Sequence, residues 1–476
     1  MIWIVLICLV FICQTGIILI LEFRRPSKAV AWMFISYCVP FLGFVLYYFV
    51  ARNYRIRRTI RKKGTIIFRE VRHRLWRQSH VIREAQDMGN PHFQTEERLF
   101  GLLSHLTENP ITACNNVKVL TDGKVTFAAM LRALEQAEHH IHIQFYIFRD
   151  DMIGKEFTDV LIRKAQAGVK VRMLCDGLGS YHLKYTFVRR LKAAGIEFHF
   201  FLPPFTSFIQ REVNYRNHRK ILVIDGEVGF MGGLNIGDDY LGYDPKLGYW
   251  RDTHLETRGD IVYFLQTVFL EDWEFASGQR ITDPIYFPKH QCEGNERALI
   301  VSSGPDRNWD AIQELCFSAI AVAKQRICIT TPYFIPDAGI YTALKTAAVS
   351  GVQVDIIIPK ISDSQVVHYA SLSYMQELMR AGVRIHQYEK GFVHAKVMVI
   401  DDLLASVGTA NMDMRSFYSN FELVAVLVEP STIERLMEDF ERDLGHSRLL
   451  NYEQFIKRSR VQKTMETLSR MLSPLL

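Results

Sequence analysis

Two stretches of the chain, "NHRKILVIDGEVGFMGGLNIG" (217–237) and "VHAKVMVIDDLLASVGTANMD" (393–413), carry one spacing. In each, a histidine and a lysine stand one residue apart: His218 with Lys220, then His394 with Lys396. An aspartate follows after four residues (Asp225, Asp401), and six residues later come a glycine, a small residue and an asparagine. These are Gly232, Gly233 and Asn235 in the first copy, and Gly408, Thr409 and Asn411 in the second. Side chains alternate across a strand, so histidine and lysine are expected on one face of the apolar run that follows them. The spacing returns after 176 residues without a gap, which predicts a duplicated fold whose copies supply equivalent sites.

The segments around the motifs repeat as well. "IHIQFYIF" (141–148) reads as a strand, "KEFTDVLIRKAQAG" (155–168) as a helix, and "VKVRMLCDG" (169–177) as a strand. The second half echoes them with "ICITTPYFI" (327–335), "YTALKTAAVSG" (341–351) and "VQVDIIIPK" (352–360). Helix end, glycine and strand recur in 187–201 and 377–388. Strand–helix–strand units predict an α/β fold with parallel pairing. The expected domains are 111–280 and 296–450, joined through the polar, Pro- and Gly-bearing stretch 278–297 and preceded by a helical lead-in within 52–110.

Before them stand two uncharged apolar runs, about 2–21 and 29–51. Each is long enough as a helix to cross a hydrocarbon core of about 30 Å, which predicts a transmembrane hairpin at the amino terminus. Residues 1–80 hold 14 Lys and Arg against 2 Asp and Glu, and the excess is concentrated in "RNYRIRRTIRKK" (52–63). Positive-inside reasoning then places the large domains in the cytoplasm. Residues 81–476 are net acidic, which argues against nucleic acid as a partner. The eight cysteines show no C-x-x-C pair and are expected to be reduced thiols. At the carboxyl terminus (451–476), Val461, Met465, Leu468, Leu472 and Leu475 mark an amphipathic helix, suited to docking on the protein or to lying on a membrane.

The duplicated site suits a phosphodiester. Lysine beside histidine disfavours a metal, because an ammonium cannot ligate while charged. Lys220 and Lys396, with the amides of Asn235 and Asn411 and the backbone at Gly233 and Thr409, can stabilise charge on non-bridging phosphate oxygens. Two histidines can divide nucleophilic attack from proton transfer. Each needs a carboxylate to fix its tautomer; Glu422 and Asp252, both opening strand-like segments past the asparagines, are the candidates.

These motifs resemble the paired HKD motifs of the phospholipase D superfamily. With "YWRDTH", "RSFYSNFE", the apolar amino terminus and a terminal "SPLL", the chain is similar over nearly its whole length to the bacterial cardiolipin synthases within it. The resemblance implies two phospholipase D-like α/β domains sharing one active site, at a bacterial cell membrane. It implies phosphatidyl transfer between two phosphatidylglycerols, giving cardiolipin and glycerol through a phosphatidyl-histidine, without metal or other cofactor. Carried onto this sequence, His218 is the nucleophile and His394 the acid/base, while Asp225 and Asp401 match the catalytic motifs but sit in turns after the strand, where a structural role is the alternative. The small residues Gly233 and Thr409, where many relatives have serine, are expected to matter little. The rival readings are a hydrolase acting on the same intermediate, a membrane-tethered nuclease and an inactive scaffold.

Overall fold

Apolar, β-branched runs in each half supply seven strands to one continuous sheet. In the computed structural model the described residues are 2–22, 26–39, 41–51, 65–203, 214–292, 294–306 and 310–476; the basic stretch 52–63, Arg24 and Arg25 lie outside them. The first half forms Thr112–Thr121 (β1), His140–Phe145 (β2), Lys170–Asp176 (β3), Glu197–Phe201 (β4), Ile221–Ile224 (β5), Val228–Gly232 (β6), Tyr249–Arg251 (β7) and Thr253–Gly259 (β8). The second forms Glu296–Ser303 (β9), Arg326–Thr330 (β10), Phe334–Ile335 (β11), Gln353–Pro359 (β12), Arg384–Tyr388 (β13), Gly391–Val393 (β14), Val397–Ile400 (β15), Leu404–Gly408 (β16), Met412–Asp413 (β17), Glu422–Leu427 (β18) and Ser447–Leu449 (β19).

Outward from the seam, the first half runs β1-β8-β6-β5-β2-β3-β4 and the second β9-β18-β16-β15-β10-β12-β13, with β19 at the far edge. The two sequences of strands correspond one to one, as duplication requires. Within this sheet parallel pairing is confined to β2-β3-β4 and β10-β12-β13. The motif strands pair antiparallel, because β5–β6 and β15–β16 are tight hairpins. The sheet is therefore mixed rather than purely parallel.

One buried cluster spans both halves. The helix Ile261–Ser277 buries Phe264, Phe269 and Trp273 in a cluster that also holds Leu255 of the first half and Leu423, Ile433 and Phe440 of the second. The lead-in helix Thr65–Gln78 adds Phe68, Val71 and Leu75, and its buried Arg72 pairs with Glu271 at 2.5 Å. At the seam β1 meets β9 with a register shift between Thr112 and Asn115. Here the expectation of reduced thiols fails for one pair: Cys114 and Cys292 are disulfide-bonded, their Cα atoms 4.9 Å apart. A separation of 178 residues hides such a pair from spacing alone, and it takes the seam to bring them together.

The amino terminus also departs from expectation. Ile2–Leu21 is a helix, but the second run divides into Pro26–Cys38, Leu42–Leu46 and a π-turn Tyr47–Ala51. The break falls beside Pro40, whose ring removes an N–H and disfavours helix in the residue before it. The pieces fold back so that Trp32 and Tyr47 stack edge to face at 5.5 Å. Among the described residues no helix is long and apolar enough to cross a membrane. The carboxyl-terminal segment docks on the protein: Arg458 pairs with buried Glu466 at 2.8 Å, and Leu475 packs against the cluster of Ile18, Ala29, Trp32 and Tyr47.

Candidate active site

The histidine and lysine of each motif stand just before the apolar strand, not within it. Lys220 immediately precedes β5 and Lys396 immediately precedes β15. Both entry segments are held by the opposite half. His218 N–H donates to Phe421 O at 2.9 Å, and Phe421 N–H to Arg216 O at 2.8 Å. Equivalently, β14 pairs with β7, and His394 N–H donates to Arg251 O at 2.7 Å.

Those bridges aim each carboxylate at the histidine of the other copy. Glu422 Oε2 lies 3.0 Å from His218 Nδ1, and Asp252 Oδ2 lies 2.8 Å from His394 Nδ1. Both acids are fully buried, and both rings nearly so. With Nδ1 facing a carboxylate, each neutral imidazole carries its proton there and leaves Nε2 for chemistry. Burial alone would raise the two carboxyls; the paired imidazoles and Lys220 or Lys396 hold them below their ordinary values.

The lysines complete a common centre. Each lies within electrostatic reach of both carboxylates. Burial and mutual repulsion lower Lys220 to about 7, against the pull of Glu422. Burial likewise lowers Lys396 to about 8, with Asp252 and Glu422 opposing it. Lys220 Nζ donates to His218 O at 2.7 Å and sits 5.4 Å over the Tyr146 ring. Lys396 Nζ donates to His394 O at 2.5 Å and also lies 3.0 Å from His394 Nε2. Burial and Lys396 push His394 down to about 3; burial lowers His218 too, while Glu422 resists.

Four residues of the motif do other work than expected. Asp225 and Asp401 lie at the far ends of β5 and β15, away from the imidazoles. Asp225 accepts from the N–H groups of Glu138, His139 and His140, and Asp401 from those of Lys324, Gln325 and Arg326, at 2.7–2.9 Å. Both adopt left-handed backbone at the hairpin turns, φ 56° and 48°. They fix the turns, because a short acceptor side chain at such a turn can bind the neighbouring strand's amides. Gly233 N–H donates to Thr253 O and Thr409 N–H to Leu423 O, so neither backbone group is left for phosphate. Gly233 is instead required by its neighbour: a Cβ there would lie 2.0 Å from Asp252 Oδ1. Thr409 donates its hydroxyl to Glu422 Oε2 at 2.5 Å.

Asn235 braces the loop after β2, accepting from Ile147 N–H at 3.1 Å and donating to Tyr240 Oη at 3.1 Å. Asn411 lines a cavity of about 30 Å³ with Lys396 and Thr331, and its buried Oδ1 has no partner among the described residues. Three supporting groups escaped the sequence reading. Tyr146 meets the His218 ring edge-on at 5.0 Å; Asn420 donates to Glu422 Oε1 at 3.1 Å; Asp176 accepts from Asn217 N–H at 2.8 Å beside His218. Asn420 was within sight, two residues before a candidate acid, whereas Tyr146 and Asp176 are brought in by β2 and β3.

The family model described as "Cardiolipin synthase, PLD-like domain" matches residues 130–256 and 316–444, one match per motif copy. The cardiolipin synthase of Halalkalibacterium halodurans is 44% identical over 97% of this chain and 91% of its own length. The chain belongs to the cardiolipin synthase family. That of Geobacillus kaustophilus is likewise 44% identical over 97% of this chain and 91% of its own. Among solved structures, the phosphatidylserine synthase of Haemophilus influenzae superposes with a TM-score of 0.62 at 16% identity, covering 80% of this chain and 99% of that one. The polyphosphate kinase of Porphyromonas gingivalis reaches 0.50 at 14% identity over 74% of this chain and 52% of its own. At those identities the likeness is one of fold. As a cardiolipin synthase family member, the chain is a phosphatidyltransferase of the phospholipase D superfamily.

Proposed function

We propose that this enzyme transfers a phosphatidyl group from one phosphatidylglycerol to a hydroxyl of a second, releasing glycerol and forming cardiolipin. The observation that carries the reading is the crosswise pairing of Glu422 with His218 and Asp252 with His394 around two shared lysines. Such a centre serves one phosphorus atom at a time.

His218 Nε2 attacks phosphorus, and the bond to the glycerol oxygen breaks as His394 gives that oxygen a proton. The second phosphatidylglycerol then loses its hydroxyl proton to His394, attacks phosphorus and expels His218. The contacts support this division. Among the described residues His218 Nε2 has no hydrogen-bond partner, whereas His394 Nε2 has Lys396 beside it. Burial and Lys396 disfavour an imidazolium at His394; a phosphodiester's charge between the lysines favours it, so His394 takes up its proton with the substrate. Lys220, Lys396 and the Asn411 amide grip the phosphate.

The proposed setting is the cell membrane, with the apolar runs 2–21 and 29–51 in the bilayer and both α/β halves on the cytoplasmic face, where the seven basic residues of 52–63 suit anionic lipid. Incubating the full chain with phosphatidylglycerol vesicles tests the reaction. Mass spectrometry should find cardiolipin and glycerol in equal amounts; phosphatidic acid as the main product would make the enzyme a hydrolase.

A further inference from the structure

The last long helix, Arg460–Met471, is docked on the protein through polar groups rather than through its apolar stripe. Glu466 and Ser469 are buried. Arg458 Nε donates to both Glu466 oxygens at 2.9 Å, and Gln462 Nε2 to Oε1 at 3.1 Å. Arg470 donates to Ser373 O at 3.0 Å and lies 4.3 Å over the Tyr374 ring. A second face, with Lys463 and Thr467, is exposed and polar. The third is the apolar row Val461, Met465 and Leu468, spaced four and three residues apart and exposed by 74%, 42% and 42%. Helices of a globular core turn such a row inward. Here it faces outward beside a fully satisfied docking face.

The helix also says what covers the row. It touches Pro26–Cys38, and Leu475 just beyond it packs with Ile18, Trp32 and Tyr47. Around that contact the amino-terminal helices expose Leu9, Ile12, Ile20, Val30 and Leu42. The row therefore stands on a helix that packs against these apolar helices, and exposed Lys457, Arg460 and Lys463 lie near it in sequence, cations that suit headgroup phosphates.

We propose that the row is a membrane-docking face: Val461, Met465 and Leu468 enter the boundary between headgroups and acyl chains of an anionic bilayer. The body is then held to the lipid at its carboxyl-terminal end as well as at its amino terminus. Two attachments fix the tilt of the active site over the surface from which both lipid substrates come, where one would leave it free to swivel. This inference rests on the reading of a lipid substrate drawn from a membrane, and its test is independent of turnover.

The full chain, carrying a benzophenone amino acid at Met465 or, as the comparison, at exposed Thr467, is reconstituted in phosphatidylcholine vesicles containing phosphatidylglycerol and illuminated. Cross-links to acyl chains should be about tenfold more abundant from position 465 than from 467. Equal yields, or cross-links from 465 to a second copy of the chain, would overturn the proposal. As a second measurement, the triple variant Val461→Ser, Met465→Ser, Leu468→Ser should turn over a water-soluble short-chain donor at the normal rate. It should lose about tenfold in rate on vesicles; equal rates on vesicles for the variant and the unmodified chain would also count against it.

Discussion

Gly233 and Thr409 occupy the same place in the two copies, yet each supports its carboxylate by a different route. Gly233 makes room, and Thr409 donates a hydroxyl. Gly233→Ala should therefore lower kcat by about a hundredfold, comparably to Asp252→Asn, whereas Thr409→Ser should keep activity and Thr409→Val lose about tenfold. Steady-state rates on mixed micelles with a thermal-melt control check this. The lysines make a pH prediction. Their values of about 7 and 8 bring the loss of positive charge close to neutrality, well below lysine's usual range. In the free enzyme, phosphate grip is present below these values and fades above them, so the alkaline limb of kcat/KM should begin between about pH 7 and 8. A profile flat to pH 10 would contradict it. The motif residues were legible because their spacing repeats. The turn placement of Asp225 and Asp401 was legible too, but not the amides they hold, since which segment lies beside a turn leaves no mark in spacing.

One half cannot hold its histidine alone. β7 pairs with β14, and Asn217 bridges to Phe421, so each orienting acid is positioned by backbone that the other half supplies. The candidate acids could be found by counting along the chain; which histidine each serves could not, because that is set by a sheet closing across the seam. The strands themselves were readable from uninterrupted apolar runs, and the mixed pairing follows from hairpins that the turn residues Asp225 and Gly226 allow. The Cys114–Cys292 bond joins segments that strand pairing and a shared core already hold. Cys114→Ser should leave kcat within about twofold while lowering the melting temperature, since the cross-link acts chiefly by restricting the unfolded chain. Scanning calorimetry beside a product assay checks both halves of that statement.

Across the whole molecule, a fifteen-stranded sheet and a buried cluster drawn from both halves hold the two copies together as a single unit. The apolar amino terminus was evident from composition, but its fold-back was not fully so: Pro40 signals a break without saying that Trp32 and Tyr47 meet across it. The proposed shared centre requires an unequal division between its two histidines. A phosphatidyl donor with an activated p-nitrophenyl leaving group needs no general acid, so His394→Ala should still become covalently loaded, and peptide mapping of the acid-quenched enzyme should find the phosphatidyl group on His218. No adduct should form in His218→Ala. Finding the adduct on His394 instead, or product without an adduct on either ring, would contradict the account.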